Sequence, residues 1–465
     1  MKISALEKLA VKIDTLLSTG RAPEARDLLA KIKSAWQLSD SWIVKISELN
    51  RRAGNPYSAL KLVTRRLKLE RRPTQATQSI WLEYACCMTS LNGTSTALRI
   101  LNDSYLQGLK KAPLYKAFNH MNMWNYSAAE SEFSTFLANA KEEEYDFWIA
   151  KVNLGVSQIY LDRPKDALKT FSSVYDGLKE KSHHRLLCVL LILRLRAHVN
   201  LSDMDAAQKD LKEISHLNIN STGIIDDLVF RECHALFLLK QDASAGLKEL
   251  RELRIACEKS EFAHVWFGTP YRYFRSYLPC QNFGPYCFPL RNELPKNLSK
   301  NLIWSPGDMP PLVRRLFWAI LCDFYRKPTI IELFERIYPD DNFNPITSPL
   351  MVRQLIHRFR ECMRKDKIDI QIHCEEFRYS LQSKKYSAIS LENPTWLELE
   401  KTPQMLDLEI TIKKVGRRFT TKDFAKATAR TQRMAQLLLK KMCEEKILAH
   451  HKKARASFYE LPTPQ

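Results

Sequence analysis

The stretch LGVSQIYLDRPKDALKTF, residues 154–171, decides the fold of the N-terminal half. Gly155 stands twelve residues before Ala167, and Phe171 follows one helical turn after Ala167. Between them Asp162-Arg163-Pro164 interrupts the helical pattern as a turn would. A small residue lets two antiparallel helices approach closely. The apolar residue one turn further on fills the groove beside it.

The same pair recurs outward along the chain, at Ala25/Leu29, Ala59/Val63, Ala97/Leu101, Ala129/Phe133, Ala167/Phe171, Ala207/Leu211 and Gly246/Leu250. Successive small residues are 34, 38, 32, 38, 40 and 39 positions apart. Turn-like elements precede several of them: Thr19-Gly20-Arg21-Ala22-Pro23, Gly54-Asn55-Pro56 and Asn92-Gly93-Thr94. The spacing predicts an α-solenoid of about seven helical hairpins over residues 1–261. It resembles the tetratricopeptide repeat family, with a looser period than that family's usual 34. Leu154-Gly155, Ala167 and Phe171 make the best single match. The resemblance implies a concave surface that receives a protein or peptide segment. The small/apolar pairs themselves are core positions and locate no ligand.

Composition agrees with a helical array. Glycine supplies only 12 of 465 residues, which disfavours folds needing many left-handed or close-approach backbone positions. Neither GxGxxG nor GxxxxGK[ST] occurs, so no standard pyrophosphate cradle is present in the sequence. The longest strictly apolar run, Leu186 to Leu193, is eight residues, short of the roughly 20 that a membrane span needs. Eleven irregularly spaced cysteines do not read as a disulfide framework. A cytoplasmic protein with reduced thiols, and no membrane partner, is expected.

The net charge of +20 is unevenly placed. Residues 1–300 carry +11 and residues 301–400 balance at 14 basic and 14 acidic. Residues 401–465 hold 15 basic against 6 acidic groups. A concentrated basic module points first to nucleic acid.

Residues 262–311 form an aromatic, proline-rich connecting segment, with nine aromatics between Trp266 and Phe288 and prolines at 270, 279, 285, 289 and 295. Proline at that density precludes a long helix. Two readings stay open. One is a stacking platform for bases or a pocket for a small effector, aided by Arg272 and Arg275; the other, favoured, is an irregular segment that seals the end of the solenoid and docks the next domain. Cys280 and Cys287 lack the companion pair of a zinc site.

Residues 312–382 predict helices over Leu312–Tyr325, Thr329–Ile337 and Ser348–Arg364, separated by the loop PDDNFNPITS. Ile368, Ile370, Ile372 and then Phe377, Tyr379, Leu381 predict a closing hairpin. This order, with LIHRFRECMRK followed by IDIQIHCEEFRYSL, resembles the response-regulator type of winged helix. The resemblance implies DNA contact through Arg353, His357, Arg360 and Arg364. Any helix packed on one side also presents a solvated polar face, so contact with DNA and contact with protein are both open here.

After a linker over 383–404, residues 405–465 read as a second, basic module. A strand over Leu408–Ile412 leads to a helix capped by Thr420-Thr421. A second helix from about Ala429 to Glu445 precedes the basic loop HHKKAR and an aromatic strand. The order looks like that of many bacterial winged-helix regulators, in which the N-terminal end of the recognition helix meets base edges. It implies Arg430, Gln432, Arg433 and Gln436 nearest the groove, with Lys440 and Lys441 reaching at most phosphate. Lys452, Lys453 and Arg455 would follow the sugar-phosphate backbone.

No catalytic constellation is legible: HExxH, GxSxG and paired CxxC are absent, and His183-His184, His450-His451 and Cys86-Cys87 are adjacent pairs. No cofactor or metal is expected. The fold class is mainly α: the N-terminal α-solenoid, then two small α+β winged-helix domains. The expected function is a non-enzymatic, DNA-binding transcriptional regulator whose solenoid receives a protein or peptide signal and whose winged helices bind double-stranded DNA. The alternative is a scaffold resembling in architecture the PCI subunits of large assemblies, where winged helices mediate protein contacts.

Overall fold

Hairpin geometry follows from where the backbone turns left-handed. In the computed structural model, Gly54, Asn92, Trp124, Asp162 and Ser202 all have φ between 59° and 84°. Each sits just after a helix, and the next residue's N–H reaches back five positions. Asn55 donates to Asn50, Gly93 to Met88, Asn125 to His120, Arg163 to Gln158 and Asp203 to His198, all at 2.8–2.9 Å. These six-to-one bonds satisfy helix-end carbonyls and reverse the chain. Five residues after each left-handed residue comes the small one: Ala59, Ala97, Ala129, Ala167 or Ala207. All five are completely buried.

The structure describes residues 3–18, 21–32, 37–67, 72–181, 183–217, 224–259, 303–304, 309–321, 327–375, 378–383, 388–389, 408, 411–412, 414–428, 431–444, 447–453 and 456–461. They divide into two compact units. Described residues of the first fall within 1–281, 325–327 and 342–348; those of the second fall within 282–324, 328–341 and 349–465.

The first unit runs α1 (Ile3–Ser18), α2 (Ala22–Leu29), α3 (Asp40–Arg52), α4 (Pro56–Leu67), α5 (Gln78–Ser90), α6 (Thr94–Leu101), α7 (Ser104–Gln107), α8 (Ala112–Asn122), α9 (Tyr126–Leu137), α10 (Tyr145–Tyr160), α11 (Pro164–Glu180), α12 (His184–Asn200), α13 (Met204–Ser215), α14 (Ile224–Gln241) and α15 (Ala243–Lys259). Among the described residues, seven hairpins form, α1/α2, α3/α4, α5/α6, α8/α9, α10/α11, α12/α13 and α14/α15, with the one-turn α7 as an insertion. Each small residue of the repeat lies in the second helix of its hairpin, and first helices also pack directly on one another at α1/α3, α3/α5, α5/α8, α10/α12 and α12/α14. The apolar run Leu186–Leu193 is the core of α12, held between α10, α11, α13 and α14. Among the described residues no helix is long and apolar enough to cross a membrane.

Helices approach closely in the quoted stretch. A Cβ at Gly155 would overlap the Phe171 ring, which is fully buried. Charges buried between first helices are paired. Arg51 holds Glu83 through two bonds of 3.0 and 3.1 Å between α3 and α5, and Arg196 meets Glu232 at 2.9 Å between α12 and α14.

In the second unit, helices Pro311–Leu321, Ile330–Ile337 and Ser348–Lys365 precede the antiparallel pair β2 (Gln371–Glu375) and β3 (Arg378–Gln382). A bridge joins Thr329 to Arg378. Thr329 and Glu332 form a reciprocal capping box. The core of this module includes Phe317, Leu333, Phe334, Phe359, Ile372 and Leu381. A short parallel pair joins β1 (Ile303–Trp304) to β4 (Ala388–Ile389). The remaining elements are β5 (Arg418–Phe419), helices Thr421–Thr428 and Gln432–Glu444, β6 (Ala449–Lys453) and β7 (Ala456–Glu460), with sheet order β5-β7-β6.

One expectation is overturned. Leu408–Ile412 is not a strand: residues 408, 411 and 412 are helical. Leu408 and Thr411 are buried and Ile412 packs against the same core, so the spacing that matters is three and four rather than two. The strand comes later, at Arg418–Phe419. Residues 262–302 lie outside the described residues, as does most of the 383–404 linker.

Two substitutions test the hairpin geometry. Gly155→Ala forces the overlap with Phe171 and lowers stability by about 1–3 kcal/mol. Ser202→Gly, at an exposed left-handed position, raises it by about 1 kcal/mol. Urea unfolding followed by far-ultraviolet circular dichroism measures both, and the two midpoints move in opposite directions.

Candidate nucleic-acid interface

The C-terminal module is built on a small aromatic core. Leu408, Phe419, Phe424, Ala435, Leu439, Met442, Leu448 and Tyr459 bury one face of each element. Phe419 stacks on Phe424 and Tyr459, with ring centroids 6.0 and 6.4 Å apart. Thr420 caps helix Thr421–Thr428: its N–H and hydroxyl donate to Asp423 Oδ2 at 2.9 and 2.7 Å. Asp423 N–H donates back to Thr420 Oγ1 at 3.3 Å. These bonds hold the Asp423 carboxyl below its ordinary range.

Helix Gln432–Glu444 turns Ala435, Leu439 and Met442 inward. The opposite face exposes Gln432, Arg433, Gln436 and Lys440. Leu437 lies on that face as well, 58% exposed, with Arg433 four positions before it and Lys440 three after. Three of the four expected groove-facing residues, Gln432, Arg433 and Gln436, thus share one solvent-facing surface, with Gln432 and Arg433 in its first turn.

The hairpin adds a layer that sequence reasoning missed. Arg418 lies over the Phe458 ring at 3.5 Å, and His451 stacks against the same ring with centroids 5.0 Å apart. His450 stacks on Tyr459 at 4.7 Å and meets Ser457 Oγ at 2.6 Å. Register makes these pairs: His451 opposes Phe458 and His450 opposes Tyr459 across β6 and β7. The adjacent histidines therefore face opposite sides of a strand. The signal was present as two residue pairs, His450-His451 and Phe458-Tyr459, but only the register shows that they meet. Lys452 and Lys453 belong to β6 by backbone, opposite Ser457 and Ala456; their side chains, like all of Arg430 and Arg455, lie outside the described residues.

The first module places its candidates differently. Arg353, His357, Arg360 and Arg364 are all exposed on helix Ser348–Lys365. Arg360 Nη2 donates to the carbonyl of Ile372 at 3.1 Å, so its guanidinium braces its own hairpin. His357 lies 3.4 Å from Glu361 in the next turn. Arg353 interacts with Tyr379, whose hydroxyl is pushed up chiefly by burial. Three of the four thus have partners inside the module, on a segment with no net charge.

Four cysteines of the solenoid are inaccessible. Cys86, Cys87, Cys188 and Cys233 are free and buried within the solenoid. Burial pushes the Cys86 and Cys87 thiols well above their ordinary range and Cys233 up to about 12. Among the described residues no group of three or more His, Cys, Asp and Glu could hold a metal ion.

No family model matches the sequence, and no curated protein matches it. Several solved structures are similar. One is a tetratricopeptide repeat protein from Parabacteroides merdae, 16% identical over 53% of this chain and 91% of that one, with a TM-score of 0.34. Another is aspartyl phosphate phosphatase F from Bacillus subtilis, 13% identical over 60% of this chain and 91% of that one, TM-score 0.37. The apo form of RapI is 12% identical over 78% of this chain and 98% of that one, TM-score 0.39. The hairpin array rests on its own packing rather than on these likenesses.

Brief iodoacetamide treatment of the native chain, read by peptide mass spectrometry, is expected to alkylate the exposed Cys374 and leave Cys86, Cys87, Cys188 and Cys233 unmodified until denaturant is added.

Proposed function

We propose that the chain is a non-enzymatic regulator whose C-terminal module, a winged helix, binds duplex DNA while the solenoid receives a protein or peptide. The observation that carries the proposal is the solvent-facing surface of helix Gln432–Glu444. It groups Gln432, Arg433, Gln436 and Lys440 within residues 401–465, which hold 15 basic against 6 acidic groups, and Arg418 and His451 lie on the neighbouring sheet. Arginine reads guanine bidentately, glutamine reads adenine, and an apolar side chain such as Leu437 suits a thymine methyl. Lys452, Lys453 and Arg455 would follow the phosphates. The first module, within the charge-balanced residues 301–400 and with Arg353 and Arg360 internally engaged, is assigned at most backbone contact.

Leu437 also supports a second reading, a scaffold in which the same face docks on protein, because a 58% exposed leucine is an anchor for an apolar partner. Salt dependence separates the two. With about six phosphates neutralised, log K for duplex DNA falls with log salt at a slope near −5. In mobility-shift titrations of the full chain, changing Lys452, Lys453 and Arg455 together to Glu weakens every duplex alike and flattens the slope. Arg433→Ala instead changes the ranking among duplex sequences. An affinity indifferent to the triple change and to salt would leave the scaffold reading standing.

A further inference from the structure

The first unit contains a stretch of chain from a distant part of the sequence. Residues 342–348, Asn-Phe-Asn-Pro-Ile-Thr-Ser, pack with this unit and are held by three helices of the solenoid. Tyr84 of α5 donates its hydroxyl to the carbonyl of Phe343 at 2.7 Å, and Tyr57 of α4 donates to the carbonyl of Pro345 at 2.8 Å. Arg99 of α6 donates through Nη2 to Asn342 Oδ1 at 2.8 Å. Phe343 is 1% exposed and Pro345 is buried, whereas Ile346 and Thr347 face solvent.

This division of labour is that of peptide recognition. Two hydroxyls read main-chain carbonyls two residues apart at the entry to a turn, contacts that do not depend on side-chain identity. The buried Phe and Pro, with the Asn342 amide on Arg99, supply selectivity. The segment is also shaped in advance. Asn344 Oδ1 accepts from Ile346 N–H at 2.9 Å, and Asn344 N–H donates to Ser348 Oγ at 2.8 Å. Ordering it on the surface therefore costs little conformational entropy. Tyr84 is itself fixed edge-on by Trp81, with centroids 5.4 Å apart, and both rings are buried.

We infer that Tyr57, Tyr84 and Arg99 form a peptide-recognition site on α4–α6, filled here by the chain's own Asn342–Ser348, and that a partner segment carrying Asn-Phe-x-Pro and able to adopt the same turn competes for it. The inference deepens the assignment of a peptide partner to the solenoid and rests on it. A tethered occupant acts at an effective concentration on the order of millimolar, so a competitor must be abundant or tighter-binding.

The test uses the full chain and a fluorescein-labelled peptide, Asp-Asn-Phe-Asn-Pro-Ile-Thr-Ser. In a chain carrying Phe343→Ala and Pro345→Ala the internal segment is weakened, and the peptide binds at least tenfold more tightly than to the unaltered chain, by fluorescence anisotropy. Adding Tyr57→Phe and Tyr84→Phe removes about tenfold to a hundredfold of that affinity, since each lost hydrogen bond is worth roughly threefold to tenfold. Equal, undetectable binding to both chains at millimolar peptide overturns the site. Should the double variant not fold, hydrogen exchange on the unaltered chain decides. Excess peptide speeds exchange across 342–348, followed in peptic fragments that extend beyond Leu350, and unchanged exchange overturns the site. A peptide carrying Ala for Phe is inert in both measurements. DNA affinity, titrated on the same preparations, reports on the nucleic-acid function alone, so failure of one leaves the other readable.

Discussion

Five of the solenoid's hairpins depend on one backbone event, a single residue turned into the left-handed region at the end of a helix. The two hydrogen bonds around it close the helix and set the direction of the next. Because the small residue comes five positions later, the turn also fixes which side of the second helix meets the first. At Gly54 the conformation is free of steric cost; at Asn92 and Asp162 a short polar side chain tolerates it. Trp124 and Ser202 adopt it because the packed hairpin overrides their preference. This is why so long a helical array manages with eight of the chain's 12 glycines.

Packing between hairpins then adds polar specificity to an apolar seam. Glu83 accepts from Arg51 and from Ser47 Oγ at 3.2 Å, and Arg51 lies over the Tyr115 ring, so α3, α5 and α8 share one buried network. Arg196 does the same between Tyr160 and Glu232 for α10, α12 and α14. A buried ion pair with one partner removed is costly, which makes these networks sensitive to register and hence selective for one stacking of the hairpins.

In the second unit, similar element orders carry different electrostatics. The neutral module spends its arginines on its own hairpin carbonyl and aromatic hydroxyl. The basic module keeps the polar face of its second helix toward solvent and layers Arg418 and His451 on Phe458. Fold alone would treat the two alike. Where the charges go distinguishes them.

Much of the array was legible because its determinants are local. Ala167 and Phe171 lie one turn apart, and Asp162-Arg163-Pro164 turns the chain by its own chemistry, so periodicity suffices. Gln432, Arg433, Gln436 and Lys440 share a face for the same reason. Leu408–Ile412 misled because a few alternating residues fit a period of two as well as a helical face, and only burial against Phe419 and Phe424 decides. Phe343 and Pro345 could be read as a loop and no further. Their partners Tyr84 and Tyr57 lie 259 and 288 positions away. Local preference determines which residues turn, pair and face inward over a few helical turns. What a distant loop docks against is set by the path of the whole chain, and only the tertiary structure contains it.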